Sequence, residues 1–168
     1  SSGATESINL AIKGLFAANR GRDQHYITLL TEHKAVLDSF KMIESQGARV
    51  TYLDVDSQGL IQPENIAAAI RPETIMVSVM AANNEIGVIQ PIQYIGQVCR
   101  MHNVFFMTDA TQAFGKIRLD VQEMNIDLLA CSAHKAYGPK GIGALYCRRS
   151  MPRVQLDPII SGGGHERG

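Results

Sequence analysis

Tryptophan is absent from this chain, cysteine occurs only three times, and neither sign of charge predominates, with sixteen Lys and Arg against sixteen Asp and Glu. Each scarcity excludes something. A balanced chain has no global field to draw in nucleic acid or an anionic membrane, so no direct nucleic-acid binding is expected. Cys99, Cys131 and Cys147 are odd in number and show no CxxC or Cys/His ligand spacing. That argues against a disulfide framework or a structural zinc, and for a reducing compartment. Each sits in an apolar-periodic segment, where cysteine is most simply a small buried hydrophobe. Long hydrophobic runs are missing as well: the apolar stretch at 74–82 is too short to span a bilayer, and no signal-type pattern opens the chain. No membrane association is expected.

What is present suits one globular domain: 168 residues, 45% apolar and 19% charged, without low complexity. Short, nearly continuous apolar runs at 26–30, 49–55, 74–81, 104–110, 128–133 and 143–147 read as strands buried on both faces. Helical spacing occupies 6–19, 34–46, 63–70 and 91–102, the last two opening on proline in the first turn. Strand and helix alternate, which predicts an α/β class with a mainly parallel sheet. The connection at 133–143 is too short for a helical crossover, so the last strand should run antiparallel to the one before it. The chain turns irregular after about residue 150. It opens on SSGATES, a turn that ordinarily follows a strand, and closes on SGGGHERG, which reads as the middle of a loop. Both ends are therefore expected to be breaks in something larger.

In open α/β sheets ligands bind beyond the carboxyl ends of the strands, and there the chain is unusually polar. Thr31, Glu32 and His33 follow the first clear strand, and Asn83, Asn84 and Glu85 follow the third. Asp109 ends the fourth, with Gln112 after it, and Ser132, His134 and Lys135 end the fifth. Ser2-Gly3-Ala4-Thr5 opens the first helix. Singly, each has a plain structural reading: an N-cap for the SGAT turn, a helix cap for Asp109, a satisfied polar residue for His33. A helix N-terminus with open amides also suits phosphate, and a carboxylate after Val104-Phe105-Phe106-Met107 is desolvated and needs a cationic or protonated partner. GPKGIG does not fit the P-loop pattern, since no Ser or Thr follows a Gly-Lys at the required spacing.

Collectively these groups suit one ligand with a phosphate, a planar ring, a ring nitrogen and an aldehyde. Pyridoxal phosphate asks for a lysine, an acid at its pyridinium nitrogen and donors around its phosphate, and Lys135, Asp109 and the SGAT turn supply one of each. Strand periodicity places Ser132 and His134 on one side of their strand end, both able to approach a phosphate, with Lys135 directed to the ring.

The stretches SGATES, TEHKAVLD, NNEIGVIQPI, DATQAFGK, SAHKAYGPKGIGALY and GGGHERG resemble, in order and spacing, cysteine desulfurases of the IscS/NifS type. Those enzymes fall in the class-V aminotransferase group of fold-type I pyridoxal-phosphate enzymes, and the likeness runs from the first residues to the last. It implies a fold-type I large domain over residues 1–168, a mainly parallel sheet with helices on both faces and a last antiparallel strand. It implies that Lys135 forms the Schiff base, that Asp109 pairs with the pyridinium nitrogen, and that His33 stacks on the ring and helps move protons. Asn84 and Gln112 would bond near the ring's phenolic oxygen, while Ala4, Thr5, Ser132 and His134 would hold the phosphate.

In such enzymes L-cysteine is the substrate and a cysteine on a mobile loop takes its sulfur as a persulfide, releasing alanine. The sulfur then passes to iron–sulfur scaffold or other sulfur-acceptor proteins, or to RNA thiolation. The resemblance further implies a homodimer at full length, in the bacterial cytoplasm or the mitochondrial matrix. The loop cysteine of the family lies beyond GGGHERG in a small C-terminal domain, so this chain is expected to be the cofactor domain alone, inactive by itself. Three alternatives remain open: another class-V enzyme, such as a selenocysteine lyase or an aminotransferase; a non-catalytic remnant; and a plain structural or nucleotide-binding α/β domain.

Overall fold

The computed structural model describes residues 1–163 and Glu166; Gly164, His165, Arg167 and Gly168, and with them most of the GGGHERG stretch, fall outside the described residues. In chain order the elements are α1 (Ala4–Ala18), β1 (His25–Leu29), α2 (Lys34–Glu44), β2 (Arg49–Leu53), α3 (Pro63–Ala69), β3 (Thr74–Ser78), α4 (Ile92–Met101), β4 (Phe105–Asp109), β5 (Leu128–Ser132) and β6 (Gly143–Cys147). A 3-10 turn, Ala133–Lys135, follows β5.

The six strands form one sheet in the order β2-β1-β3-β4-β5-β6. The first five run parallel, and β6 returns antiparallel along β5 with Ser132 opposite Gly143 and Leu128 opposite Cys147. Two-residue alternation splits the strand side chains between two cores. Tyr26, Met76, Met107, Leu128 and Ala130 meet α1 and α2 on one face. Ile27, Val77, Phe106, Leu129 and Cys131 meet α3 and α4 on the other. The helices supply the complementary stripes: Ile8, Ile12 and Leu15 from α1 and Val36, Phe40 and Ile43 from α2 against Ile92, Ile95 and Cys99 from α4. The Tyr26 and Phe40 rings pack 5.9 Å apart and tilted, and the Tyr26 hydroxyl is satisfied by Gln24 Oε1 at 2.6 Å.

Two details differ from the sequence reading. The central strands are buried on both faces, but β2 and β6 are not, having mostly half-buried residues. They are the sheet edges, where the covering helices run out, and composition does not distinguish an edge from a centre. Helix α1 begins at Ala4, earlier than the apolar spacing suggests, because Gly3 already accepts the first helical bond, from Ser7 N at 3.2 Å.

The topology positions a site. β1 pairs with β2 on one side and β3 on the other, so the order in which parallel strands are added reverses between β1 and β3. That switch opens a crevice at the carboxyl ends of the strands. Met76, Met107, Leu128 and Ala130 face α1 and α2, so alternation directs Met80, Asp109 and Ser132, further along β3, β4 and β5, to that same side.

Candidate functional site

Around the carboxyl ends of β1, β3, β4 and β5 lies a cavity of about 610 Å³ closed on one side by the start of α1. The nine residues to which the resemblance gives a role all line it: Ala4, Thr5, His33, Asn84, Asp109, Gln112, Ser132, His134 and Lys135; Thr31, Glu32, Asn83 and Glu85, also noted at the strand ends, do not.

At the β1 end, His33 is the N-cap of α2, and its Nδ1 accepts from Ala35 N at 3.1 Å. A nitrogen used as acceptor carries no proton, so the neutral ring keeps its proton on Nε2. At the β3 end the two asparagines divide the work. Asn83 is structural: its Oδ1 accepts from Glu85 N and Ile86 N at 2.8 and 3.0 Å, and its Nδ2 donates to Thr31 O at 2.8 Å. That ties the β3 loop to the β1 loop and leaves the exposed Asn84 beside the cavity.

Asp109 is 3% exposed. No ion pair reaches it among the described residues. Its Oδ1 accepts instead from the Thr111 amide at 2.9 Å and from the Thr111 hydroxyl, an Asx turn that stabilises the anion without a cation. Oδ2 is left for whatever occupies the cavity. Gln112 lies in the same turn, its Oε1 only loosely held by Lys116 Nζ at 3.5 Å.

After β5 the structure departs from the strand-pleat expectation. Ser132 Oγ and His134 Nδ1 do meet, at 2.8 Å, but the 3-10 turn brings them together, and Lys135 closes that turn as an exposed residue. Ala133 O then accepts from both Ala136 N (2.8 Å) and Gly138 N (2.9 Å). This winds the chain so tightly that a Cβ at Gly138 would stand 2.9 Å from Ala133 Cβ. Between them Tyr137 takes a left-handed φ of 61°.

The remaining wall is the N-terminus of α1. Its N-cap is Gly3, with no side-chain cap. Ser2 does not cap the helix; its amide donates forward to Glu6 Oε2 at 2.8 Å. The first-turn amides, with their partial positive charge, therefore face the cavity without an internal competitor. A Cβ on Gly3 would come to 3.8 Å from Ser132 Oγ, inside the space those amides share with the hydroxyl.

Sequence reasoning did not assign Thr111, Met80, Lys140 or Glu32 to the site. Thr111, Met80 and Lys140 line the cavity, and Glu32 lies buried against Met80 N. The Asx signature Asp-Ala-Thr could have pointed to Thr111, and Glu32 stands among the polar residues that follow β1; nothing local marks Met80 or Lys140. The three cysteines stay outside the lining, and burial pushes each thiol up from its ordinary range, so none is primed as a nucleophile.

Residues 1–167 match the family described as Aminotransferase class-V. The chain is 60% identical over 167 residues to the mitochondrial cysteine desulfurase of Candida maltosa, a stretch that is 99% of this chain and 34% of that protein. It is 58% identical, again over 99% of its length, to the cysteine desulfurase IscS of Ehrlichia chaffeensis, of which it covers 41%. A solved structure of SspA in complex with cysteine superposes with a TM-score of 0.93 at 48% identity, over 98% of this chain and 47% of that one. The chain thus spans about a third to two fifths of the curated relatives it matches.

Proposed function

Since the chain belongs to the class-V aminotransferase family, we propose that it is the large, pyridoxal-phosphate-binding domain of a cysteine desulfurase. The observation that carries the reading is the convergence on one cavity of a lysine, a buried carboxylate and an anion cradle.

The residues fit the cofactor. The open α1 amides with Thr5, Ser132 and His134 form a cradle for a phosphate dianion, and Gly3 leaves room for it. Asp109 Oδ2 suits a protonated ring nitrogen, and Lys135 brings a primary amine, which condenses reversibly with an aldehyde. Asn84 and Gln112 would donate toward the ring's phenolic oxygen, and His33 would cover a ring face. Bound there, pyridoxal phosphate supplies an electron sink for the bonds around the substrate's α-carbon.

The protein's own groups do the rest. Lys135 Nζ would hold the cofactor and would serve as a proton carrier at the substrate's α-carbon. His33 Nε2–H would be a second proton carrier at the cavity. Asp109 would hold the ring proton in place, its carboxyl group oriented by the Thr111 amide. The net reaction is L-cysteine plus a protein thiol giving L-alanine plus a persulfide. None of this chain's thiols lines the cavity, so the acceptor thiol in this reading is none of the three. A place in the bacterial cytoplasm or the mitochondrial matrix fits relatives named as a mitochondrial desulfurase and as IscS; a homodimer that hands sulfur to iron–sulfur scaffold or other acceptor proteins belongs to the same proposal.

The test is to supply the protein carrying this chain with pyridoxal phosphate, a thiol reductant and L-cysteine, and to measure alanine and sulfide. Equal amounts of both are expected, falling to background in Lys135→Ala. Release from L-selenocysteine but not L-cysteine, or amino-group transfer to a keto acid without sulfide, would redirect the reading to another class-V activity.

A further inference from the structure

Asp109 shares its buried corner with a second carboxyl group. Glu32, in the turn between β1 and α2, is 5% exposed, and its Oε1 accepts from Met80 N at 2.7 Å. The β3 and β4 backbones stay paired past the ends of the strands, Ala81 N donating to Asp109 O at 2.9 Å, so the amide that Glu32 grips lies beside Asp109. Glu32 Oε2 is buried with no hydrogen-bond partner. Among the described residues no cation forms an ion pair with either carboxyl group.

Two carboxylates buried together without a cation cannot both stay charged, and the proton settles on the one whose anion is less well solvated. Asp109 has two donors on one oxygen and opens on the cavity with the other. Glu32 has one donor and an orphaned oxygen, a far greater penalty for a bare anion than for a neutral hydroxyl.

We propose that Glu32 is a positioning residue kept as a neutral carboxylic acid, clipping the turn that carries His33 onto the end of β3 so that Asp109 alone of this pair presents negative charge to the cavity. This rests on the pyridoxal-phosphate reading for its purpose, though not for its chemistry. Burial pushes the Glu32 carboxyl well above the usual carboxylate range; the Met80 N–H pulls it down, and the Asp109 charge adds to the rise. Asp109 is the charged group facing it from β4. His33 is the titratable neighbour on its own turn, and β3 itself carries no ionisable side chain.

A neutral acid and an amide are close isosteres, so Glu32→Gln separates the two charge states. In the protein carrying this chain, infrared difference spectra of wild type minus Glu32→Gln, taken at neutral pH without cofactor, should show a carboxylic-acid C=O stretch. With pyridoxal phosphate added, Glu32→Gln should keep the affinity within about twofold and leave the pH midpoint of the visible band unmoved. Glu32→Ala, which loses the Met80 bond, should weaken cofactor binding, and glutamine should rescue it.

A carboxylate stretch in place of the acid, or a band midpoint displaced about tenfold in acidity by Glu32→Gln, overturns the proposal. Should the Glu32 variants fail to fold, Asp109→Asn decides. Removing the facing charge should make Glu32 ionise at lower pH than in wild type, and an unchanged carboxyl titration would contradict the coupling. Failure of pyridoxal phosphate to bind at all would sink the proposed function while leaving the infrared result to stand on its own.

Discussion

One methyl group added at residue 143 should weaken the anion cradle without altering any side chain that lines it. Gly143 opens β6 opposite Ser132, and its amide donates to Ser1 O at 2.8 Å, which stitches β6 to the turn in front of α1. A Cβ at this position would stand 2.5 Å from Gly3 Cα and 2.8 Å from Gly3 N. Both neighbours are backbone, so no flexible side chain can swing clear. Relieving the clash needs the turn to retreat by about 1 Å to reach ordinary carbon–carbon separation.

Overpacking of this kind costs about 1–3 kcal/mol of stability. The site should suffer separately, because the retreating turn carries the first-turn amides of α1. Losing one hydrogen bond to a charged phosphate costs about 1.5–3 kcal/mol, equivalent to a roughly 10- to 100-fold rise in Kd. Thermal unfolding and absorbance titration with pyridoxal phosphate read the two effects. Gly21→Ala is the comparison: at φ 84° it is strained, but Gly21 is not part of the cavity lining, so it should cost stability alone. If Gly143→Ala binds the cofactor as tightly as wild type, the α1 N-terminus is not part of the cradle and the reasoning fails.

Ser132→Ala, which deletes the hydroxyl bonded to His134 Nδ1, should leave the unfolding midpoint nearly unchanged but raise the cofactor Kd about tenfold, the loss of one charged-group hydrogen bond. Equal affinity would remove Ser132 from the phosphate site. At the opposite end of β5, Arg148 Nε donates to the buried Asp127 Oδ1 at 2.6 Å. Arg148→Ala should therefore cost about 3–5 kcal/mol in denaturant unfolding by stranding a carboxylate. Arg100 at 3.6 Å favours the lower end, and a loss under 1 kcal/mol would refute the clamp.

His25 bridges Thr74 Oγ1 and Thr51 Oγ1 at 2.7 and 2.8 Å, and burial depresses its proton affinity, with nearby Arg71 adding to the effect. The unfolded imidazole binds protons more readily than the folded one. Its contribution is thus present above the ordinary value of 6.5 and is lost as pH falls below it. His25→Gln should flatten the stability profile between about pH 7.5 and about pH 5.5 relative to wild type, and parallel profiles would contradict this.

Much of the architecture was legible in the sequence because each β–α unit is locally consistent. Pro63 opens α3, apolar runs mark the central strands, and the short 133–143 connection leaves no room for a crossover. The edge strands were less legible, since exposure of β2 and β6 depends on which helices cover them. The cavity's lining was foreseeable from the rule that ligands gather at strand carboxyl ends. Its detailed chemistry was not. That Ser132 meets His134 through a 3-10 turn depends on Gly138 fitting against Ala133. That Glu32 is locked to β3 depends on a bond to Met80, 48 residues away, for which the TEH tripeptide gives no sign.

The central claim is that Lys135 is the residue that bonds the cofactor, and Lys140, which lines the same cavity, is its natural competitor. Borohydride reduction in the presence of pyridoxal phosphate, followed by peptide mass spectrometry, distinguishes them. The account predicts a single stable adduct on Lys135, with loss of the visible band in Lys135→Ala and its retention in Lys140→Ala. An adduct on Lys140, or none on either lysine, would contradict it.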